Sequence, residues 1–390
     1  MERIGLEGSF AIAEAVKLAN VDVVAAYPIT PQTHIVEELA AMVANGELDA
    51  DYIPVESEHS AMSACLGSAA VGARTFTATA GQGLELMHEV LYVASGIRLP
   101  IVMAVCNRAL SSPLSIWGDH SDVMAARDTG WIQMFAENVQ QAFDLILCSF
   151  RIAEDKNVLL PTMVNIDGFH LSHVIESLYL LDQQTVDKFL PPNKYPYPLN
   201  PKKPITIGAF GVPAVYTEAK KAQDVALKAS KKVIEKTFKE YGEITGRNYS
   251  LIEEYRTDDA ETLLLTMGSF SETAMIAIDN LRNSGIKAGL IRLRVWRPFP
   301  FAELRKIATR CKVLVVLDRA VSFGSITGPV CAEVQAALYP LSNKPKVVGM
   351  VGGLGGRDIT VGAFENIVRS AVEKAKVEEV NELEIIEVRE

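Results

Sequence analysis

The 390-residue sequence is poor in the features that mark metal-binding and membrane-spanning proteins. Its five cysteines, at positions 65, 106, 148, 311 and 331, form no CxxC pair and no Cys/His spacing suited to zinc or an iron–sulfur cluster. We therefore expect no metal centre on this chain, and buried reduced thiols at Cys65, Cys106 and Cys148. No run of 18 apolar residues occurs, and the first 20 residues do not resemble a secretion signal. These absences predict a cytoplasmic protein that does not bind membranes.

The chain also has fewer positive than negative charges. It contains 38 lysines and arginines against 48 aspartates and glutamates, which gives a net charge of -10. Proteins that bind nucleic acid or an anionic membrane usually carry an excess of positive charge, so we expect neither partner. Hydrophobic residues, by contrast, are abundant at 49% of the chain. At this length they are enough for two domains with sizeable cores.

Residues 1 to about 170 alternate short apolar runs, typical of buried strands, with longer helical runs. This alternation predicts an α/β fold built on a mostly parallel sheet. The predicted strands are 21–26, 52–55, 75–79, 101–106, 132–135 and 160–166, and the predicted helices lie near 9–19, 31–45, 59–71, 83–95 and 137–153.

The composition changes after about residue 174. Residues 191–204 contain six prolines, which predicts an extended linker or an arm that crosses a surface. A long helix is predicted over 215–241, with a stripe of small residues suited to close packing against another element or subunit and with lysines on its solvated face. The predicted stripe consists of Ala219, Ala222, Ala226, Ala229 and Val233.

A second α/β unit follows, with predicted strands at 262–266, 288–293, 313–317 and 346–350. We interpret the glycine cluster 352–356 as a tight structural turn, because it does not match the GxGxxG pattern of a nucleotide site. The tail 382–390 predicts an edge strand or a frayed end. We thus predict a first domain over 1–240, including the proline-rich arm and long helix at about 174–240, a linker over 241–258 and a second domain over 259–390.

Polar residues at strand ends are the candidate site residues, because ligands of open parallel sheets bind beyond the carboxyl ends of the strands. Thr30 follows the first strand, and it is either a helix N-cap, with Pro31 as the first helical residue, or part of an active site. Glu58 follows the second strand and either balances a helix dipole or takes part in catalysis. The small residues of 77–83 leave room for a group to approach the backbone, although a plain helix start explains them nearly as well.

Arg108 follows the apolar run 101–106, and an arginine at a buried strand end is costly unless it meets an anion. Its guanidinium matches a carboxylate in two parallel hydrogen bonds, which favours a carboxylate substrate. An internal salt bridge with Asp119 or Asp122 is the alternative. Asp119, His120 and Asp122 suggest a metal site or an acid–base histidine, but a loop with its own hydrogen bonds also explains them, since three such residues in four positions cannot all point inward.

Six ordered segments together resemble one family. They are YPITP at 27–31, PVESEHSA at 54–61, TATAGQGLELMHE at 77–89, NRALS at 107–111, GDHSDVMAARDTGW at 118–131 and DGFHLSH at 167–173. The family is pyruvate:ferredoxin oxidoreductase, in the version divided among separate subunits, and the resemblance is to its alpha chain. It implies a thiamine-diphosphate-binding, pyrimidine-type domain followed by a transketolase C-terminal-like α/β domain.

The resemblance also implies roles for particular residues. Glu58 matches the acid that hydrogen-bonds the pyrimidine ring of thiamine diphosphate and activates it, while Tyr27, Pro28 and Ile29 match the lining of the cofactor pocket. Thr30 and Arg108 match the residues that bind the 2-oxo acid. Relatives that act on oxalate carry an arginine where this chain has Thr30, so threonine favours pyruvate, with a branched-chain 2-oxo acid as the nearest rival.

The implied reaction is oxidative decarboxylation of pyruvate with coenzyme A to acetyl-CoA and CO2, with electrons passing to ferredoxin. The resemblance places Mg²⁺, the diphosphate side of the cofactor site and the [4Fe-4S] clusters on partner subunits of beta, gamma and delta type. Two alternatives remain at this point. One is a non-catalytic scaffold subunit, which would not need Thr30, Glu58 and Arg108 together. The other is a self-contained transketolase-like enzyme, which would need a diphosphate half-site that this sequence lacks.

Overall fold

The structure is a computed structural model that describes residues 2–376 and 383–389. The strands are β1 Glu2–Glu7, β2 Val23–Ala26, β3 Asp51–Pro54, β4 Thr75–Thr79, β5 Ile101–Asn107, β6 Ile132–Phe135, β7 Thr162–Asp167, β8 Ile175–Leu180, β9 Ile252–Tyr255, β10 Thr262–Thr266, β11 Ala288–Leu293, β12 Val295–Arg297, β13 Val313–Asp318, β14 Lys346–Val351 and β15 Glu384–Ile385. The helices are α1 Gly8–Leu18, α2 Thr33–Ala44, α3 Glu58–Ala70, α4 Gly81–Leu86, α5 His88–Gly96, α6 Ser121–Ala125, α7 Val139–Ala153, α8 Gln183–Phe189, α9 Pro213–Thr245, α10 Phe270–Asn283, α11 Phe301–Ala308, α12 Pro329–Leu338 and α13 Val361–Lys374.

The first sheet has the strand order β12-β6-β7-β5-β4-β2-β3 and is parallel except for β12. The six strands predicted for residues 1–170 are confirmed as β2 to β7, with ends that differ by at most two residues. From β2 the chain passes to β3 on one side and then to β4 on the other. This reversal opens a crevice beyond the carboxyl ends of β2 and β4, where ligands of such sheets bind.

The second sheet has the order β15-β14-β13-β10-β11-β9, with β9 antiparallel to β11. The four predicted strands are confirmed as β10, β11, β13 and β14. Glu384–Ile385 pairs with β14, so part of the tail predicted at 382–390 is an edge strand, while Glu382 and Glu390 lie outside the described residues. Residues 241–258, predicted as a linker, contain the end of α9 and strand β9.

Strand β12 connects the two halves of the chain. It comes from the second α/β unit, yet it pairs antiparallel with β6 at the edge of the first sheet. Neighbouring side chains of a strand point to opposite faces, and here Val295 packs in the core of the first sheet and Trp296 in a core of the second. Both side chains are fully buried. No feature of these three residues in the sequence predicted that they would pair with the first sheet.

An antiparallel pair of strands, β1 and β8, was missed by the sequence analysis. Its side chains are mostly exposed or half-buried, and glutamates lie at both ends of β1. Such a strand lacks the apolar, β-branched run that marks a buried one. Ile4 and Leu6 nevertheless pack against the hydrophobic core of the first sheet, so the β1–β8 strand pair covers part of that core.

Helix α9 confirms the predicted long helix, and two residues of the predicted stripe, Ala226 and Val233, pack against the core of the first sheet. Ala219, Ala222 and Ala229 are exposed. The buried face runs through the second half of the helix and consists of Ala226, Ser230, Ile234, Thr237, Phe238, Tyr241, Gly242 and Thr245. Larger side chains decide the packing because they bury more apolar area than alanine does.

A buried carboxylate, Asp144 on α7, holds the end of α9. It accepts hydrogen bonds from Tyr241 Oη at 2.6 Å, Tyr249 Oη at 2.5 Å and Arg247 Nε at 2.6 Å. These bonds offset the cost of burying a charge that is completely removed from solvent. The long helix is therefore fixed to the first sheet by polar contacts as well as by its apolar face.

All five cysteines are buried free thiols, as predicted for Cys65, Cys106 and Cys148. Burial raises the pKa of the Cys65 thiol to about 12, which keeps it in the unreactive thiol form. Over residues 2–376 and 383–389, none of the helices combines the length and the apolar character needed to cross a membrane.

Candidate active site

The turn after β2 forms one wall of the crevice. Gln32 has no exposed surface, and its Nε2 donates to the carbonyl oxygens of Ala78, at 2.6 Å, and Tyr27, at 3.3 Å. Its Oε1 accepts from the backbone N–H of Ile29 at 3.2 Å. Helix α2 begins only at Thr33 and has no side-chain cap, so the predicted N-cap role of Thr30, with Pro31 as first helical residue, is wrong. The buried amide of Gln32, which the sequence analysis did not single out, holds the turn instead and leaves Thr30 exposed.

Glu58 is the first residue of α3, and only 6% of its surface is exposed. Ser57 caps this helix by accepting from Ser60 N at 3.2 Å. Within the described part of the chain, the Glu58 carboxylate has no hydrogen-bond partner, and the buried hydroxyl of Thr79 nearby also has none. A buried acid that meets no protein donor is suited to bind a polar group of a ligand.

The side chains of Glu58 and Arg108 lie against two glycines of α4. A Cβ atom added at Gly83 would lie 2.7 Å from Glu58 Oε1 and 2.5 Å from Thr79 Oγ1. One added at Gly81 would lie 3.1 Å from Cδ of Arg108. The small residues predicted at 77–83 therefore leave room for these two side chains to cross the start of the helix.

Arg108 is 7% exposed and lies just beyond the end of β5. Its Nε donates to the carbonyl oxygen of Ser115 at 2.8 Å and its Nη1 to that of Thr30 at 3.1 Å. Among the described residues it forms no salt bridge, so the alternative of an ion pair with Asp119 or Asp122 is wrong. Burial lowers the pKa of Arg108, and Asp122 partly opposes this, but the guanidinium keeps its charge. A buried cation held only by carbonyl oxygens, with Nη2 unpaired among those residues, can bind an anion.

Asp119, His120 and Asp122 are all buried, so the expectation that they cannot all point inward is wrong. Each of the three side chains forms hydrogen bonds within the protein, as expected if the loop is held by hydrogen bonds rather than by a metal ion. Asp119 accepts from Ser121 Oγ at 2.6 Å and from Gly355 N at 3.1 Å. His120 Nε2 lies 3.0 Å from Asp167 Oδ1. The three side chains point to three different neighbours rather than to a common metal position.

Asp167, at the end of β7, joins the two sheets. It pairs with Arg319, which follows β13, and accepts from Ser269 Oγ at 2.6 Å. Burial alone raises the pKa of Asp167, but Arg319, His120 and Ser269 outweigh it and hold the pKa well below its ordinary value. Burial lowers the pKa of His120, although its bond to Asp167 opposes this. The sequence analysis did not assign Asp167 or Arg319, because the partners that join them across the two sheets are more than 100 residues away.

Replacing Arg319 with methionine is expected to lower the free energy of unfolding by about 3–5 kcal/mol, because Asp167 would be left as a buried charge without its cation. Urea unfolding followed by circular dichroism measures this change. Arg310→Met is the matched control, since Arg310 pairs with Glu254 at a partly exposed surface. A change for Arg319→Met no larger than for this control would contradict the structural role of the pair.

The glycine cluster 352–356 forms a turn, as predicted, and it packs against the loop before α6. Gly356 N donates to the carbonyl oxygen of Gly118 at 2.7 Å. A Cβ atom at Gly356 would lie 2.5 Å from that of Trp117, and the residue has φ +75°. Glycine is therefore required here by a close approach as well as by backbone conformation.

Three side chains outside the crevice also lie close together. Glu7, His34 and His173 each place one possible metal-ligating atom within 4.8 Å of the others. His34 Nδ1 is 2.6 Å from Glu7 Oε1, and the two imidazole rings are 4.5 Å apart. Glu7 and His34 are thus already paired with each other, and we assign no metal to them.

The architecture matches the fold of known structures. The chain superposes on a 2-oxoglutarate:ferredoxin oxidoreductase from Magnetococcus marinus, solved with 2-oxoglutarate, coenzyme A and succinyl-CoA bound, with a TM-score of 0.74 and 20% identity. The match covers 95% of this chain and 65% of that one. A split-gene transketolase in its inactive tetrameric form gives a TM-score of 0.55 at 13% identity, over 95% of this chain and 99% of the other. The predicted fold class is confirmed.

Sequence comparison identifies the family. Residues 14–239 match the thiamine-diphosphate-binding domain of pyruvate flavodoxin/ferredoxin oxidoreductase, and residues 260–380 match core domain II of pyruvate:ferredoxin oxidoreductase. Curated relatives include pyruvate synthase subunit PorA of Pyrococcus abyssi, 49% identical over 96% of both chains. The PorA subunit of Thermotoga maritima is 48% identical over 92% of both chains. Ketoisovalerate oxidoreductase subunit VorA of Pyrococcus abyssi is 47% identical, over 96% of this chain and 95% of the other.

The chain therefore belongs to the pyruvate:ferredoxin oxidoreductase family. The predicted resemblance and the predicted enzyme class, a 2-oxo acid:ferredoxin oxidoreductase, are confirmed.

Proposed function

We propose that this chain is the alpha subunit of a multi-subunit enzyme that oxidises pyruvate with coenzyme A to acetyl-CoA and CO2 and passes the electrons to ferredoxin. The observation that carries the proposal is the buried Arg108 guanidinium, which among the described residues donates to carbonyl oxygens and to no carboxylate, and which lies with Glu58 against the two glycines of α4. Family membership and the PorA relatives support it.

The residues of the crevice fit thiamine diphosphate, whose pyrimidine ring offers polar atoms to a buried acid. Glu58 would hold the ring through its carboxylate, since this group has no partner among the described residues. Tyr27, Pro28 and Ile29 would line the pocket from the turn held by Gln32. When bound, the cofactor supplies the nucleophilic carbon and the electron sink that decarboxylation of a 2-oxo acid requires.

Arg108 and Thr30 would bind the substrate. The guanidinium would form hydrogen bonds with the carboxylate of the 2-oxo acid. The Thr30 carbonyl oxygen, which accepts from Nη1, fixes the orientation of the guanidinium plane. Thr30 carries no charge, so it would not form an ion pair with a second carboxylate, such as that of oxalate. A branched-chain 2-oxo acid is the second candidate substrate, because the VorA relative is about as similar as the PorA relatives.

Other parts of the enzyme would lie on partner subunits of beta, gamma and delta type. We assign to them the Mg²⁺ ion, the diphosphate side of the cofactor site and the [4Fe-4S] clusters. The scattered, buried cysteines support this assignment, since they could not ligate a cluster without unfolding the cores. We also propose a cytoplasmic location, and two domains over 1–240 and 259–390 joined by 241–258, with β12 crossing between them.

A substrate panel tests the proposal. With ferredoxin and coenzyme A, the purified complex is expected to use pyruvate with kcat/KM at least about tenfold higher than 2-oxoisovalerate, since the bulkier side chain must find extra room. A preference for 2-oxoisovalerate would replace the substrate assignment. Activity that persists in the absence of this chain would favour the scaffold alternative instead.

A further inference from the structure

The carboxylate of Asp122 joins the two strand ends that carry the candidate site. Asp122 has no exposed surface, and its Oδ2 accepts from the backbone N–H groups of Gly81 at 3.0 Å and Arg108 at 2.9 Å. Its Oδ1 accepts from Asn107 Nδ2 at 3.0 Å and from Val123 N at 2.7 Å. One buried carboxylate thus links the loop after β4 to the loop after β5.

Both loops determine where the Arg108 side chain lies. The bond from Arg108 N fixes the backbone from which the side chain starts. The bond from Gly81 N fixes the backbone against which the stem of that side chain packs, since a Cβ atom at Gly81 would lie 3.1 Å from Arg108 Cδ. The Arg108 guanidinium is therefore constrained at its base and along its length by the same carboxylate.

We propose that Asp122 is a positioning residue for the 2-oxo acid site. It holds the Arg108 guanidinium in the orientation that binds the substrate carboxylate. The proposal rests on the proposed function and adds a residue for which no role has been assigned. Asp122 does not face the crevice itself, so we do not count it as a catalytic residue. Misplacing a substrate-binding group by a small distance weakens binding because hydrogen bonds depend steeply on geometry.

The second sheet supports the same loop. His120 N donates to the carbonyl oxygen of Arg319 at 2.8 Å, and Gly355 N donates to Asp119 Oδ2 at 3.1 Å. These contacts fix the residues just before Asp122. The second α/β unit thereby takes part in orienting Arg108.

The charge state of Asp122 provides an independent readout. The charged or titratable groups that act on it or feel its charge are Asp119, Arg108 and Cys106. Burial raises the pKa of the Asp122 carboxyl to about 7, and the N–H groups of Arg108, Asn107 and Val123 oppose this shift. Above this pH the carboxylate accepts all four bonds, whereas below it a proton occupies one oxygen and one donor loses its acceptor. KM for pyruvate is therefore expected to rise in the wild-type complex as the pH falls from 8 to 6.

Asp122→Asn in the full complex tests the proposal. The amide replaces one acceptor oxygen with a donor, so KM for pyruvate and the dissociation constant of oxamate, an unreactive analogue, should both rise about tenfold or more. The KM for coenzyme A and the bound thiamine diphosphate should remain within about twofold of wild type, and the pH dependence of the pyruvate KM should disappear. Asp128→Asn, a change at an exposed aspartate on the same segment, is the matched control.

Several outcomes overturn the proposal. An Asp122→Asn enzyme with wild-type KM for pyruvate and wild-type oxamate binding would do so. A loss of cofactor together with equal losses of kcat/KM for pyruvate and for coenzyme A would also do so, because it indicates a purely structural role. If the variant does not assemble, the wild-type pH series decides, and a pyruvate KM that is constant from pH 8 to 6 rejects the proposal. A wild-type complex that neither oxidises a 2-oxo acid nor binds oxamate would instead reject the proposed function, and this inference with it.

Discussion

Replacing Glu58 with glutamine is expected to reduce kcat by at least about 10³-fold, within the range reported for loss of a group that takes part in proton transfer. The amide has almost the same shape but can neither carry the charge nor exchange a proton with a ring nitrogen. Since Glu58 has no hydrogen-bond partner among the described residues, little stability should be lost. Steady-state kinetics of the assembled complex, with circular dichroism to verify the fold, measure both expectations.

A matched control lies two residues earlier. Glu56 is exposed and accepts from Ser60 Oγ at 2.7 Å, so Glu56→Gln changes a carboxylate on the same loop outside the crevice. It should leave kcat within about twofold, as is usual for surface substitutions. Retained turnover in Glu58→Gln would remove Glu58 from the mechanism and leave it as a residue of the first helical turn.

Replacing Arg108 with alanine is expected to cost about 3 kcal/mol of transition-state stabilisation, or about 10²-fold in kcat/KM, mainly through a higher KM for pyruvate. Arg108→Lys should recover only part of this loss, because an ammonium group keeps the charge but lacks the planar fork. The measurement is kcat/KM for pyruvate at constant ionic strength, with the KM for coenzyme A as an internal reference.

Arg151→Ala is a suitable control, since Arg151 lies near the end of α7, away from the strand ends, and forms a 3.7 Å pair with Glu240 at a partly exposed surface. An Arg108→Ala enzyme with an unchanged KM for pyruvate would show that the guanidinium serves the loop carbonyls of Thr30 and Ser115 alone. The substrate carboxylate would then need another cation.

The main strands of both sheets could be predicted from the sequence because they are buried on both faces and therefore read as continuous apolar runs. The runs at 101–106 and 313–317 are examples, and both became central or near-central strands. Partly exposed strands such as β1 and β8 carry a weaker signal. The packed face of α9 was predicted in part, since Ala226 and Val233 of the stripe belong to it while its larger side chains, such as Phe238, were not assigned.

The site residues stay predictions, but the positions of Thr30, Glu58 and Arg108 at strand ends could be read from the sequence, whereas the residues that support them could not. Thr30, Glu58 and Arg108 follow strands that could be recognised, so their convergence at one edge followed from the parallel sheet. Gln32 and Asp122 act through hydrogen bonds to residues that are distant in sequence, and no local pattern marks such a partner. The N-cap assigned to Thr30 failed because a buried glutamine competed with it for the same turn.

The three residues of β12 make the two halves of the chain interdependent during folding. A fragment that ends before Val295 would leave β6 as an open edge with unpaired backbone groups, and it would leave a gap where Val295 fills the first core. The second half alone would expose the indole of Trp296. Neither half is complete as an independent folding unit, so the chain should unfold cooperatively, and a break in the gene between them would require the two products to reassociate.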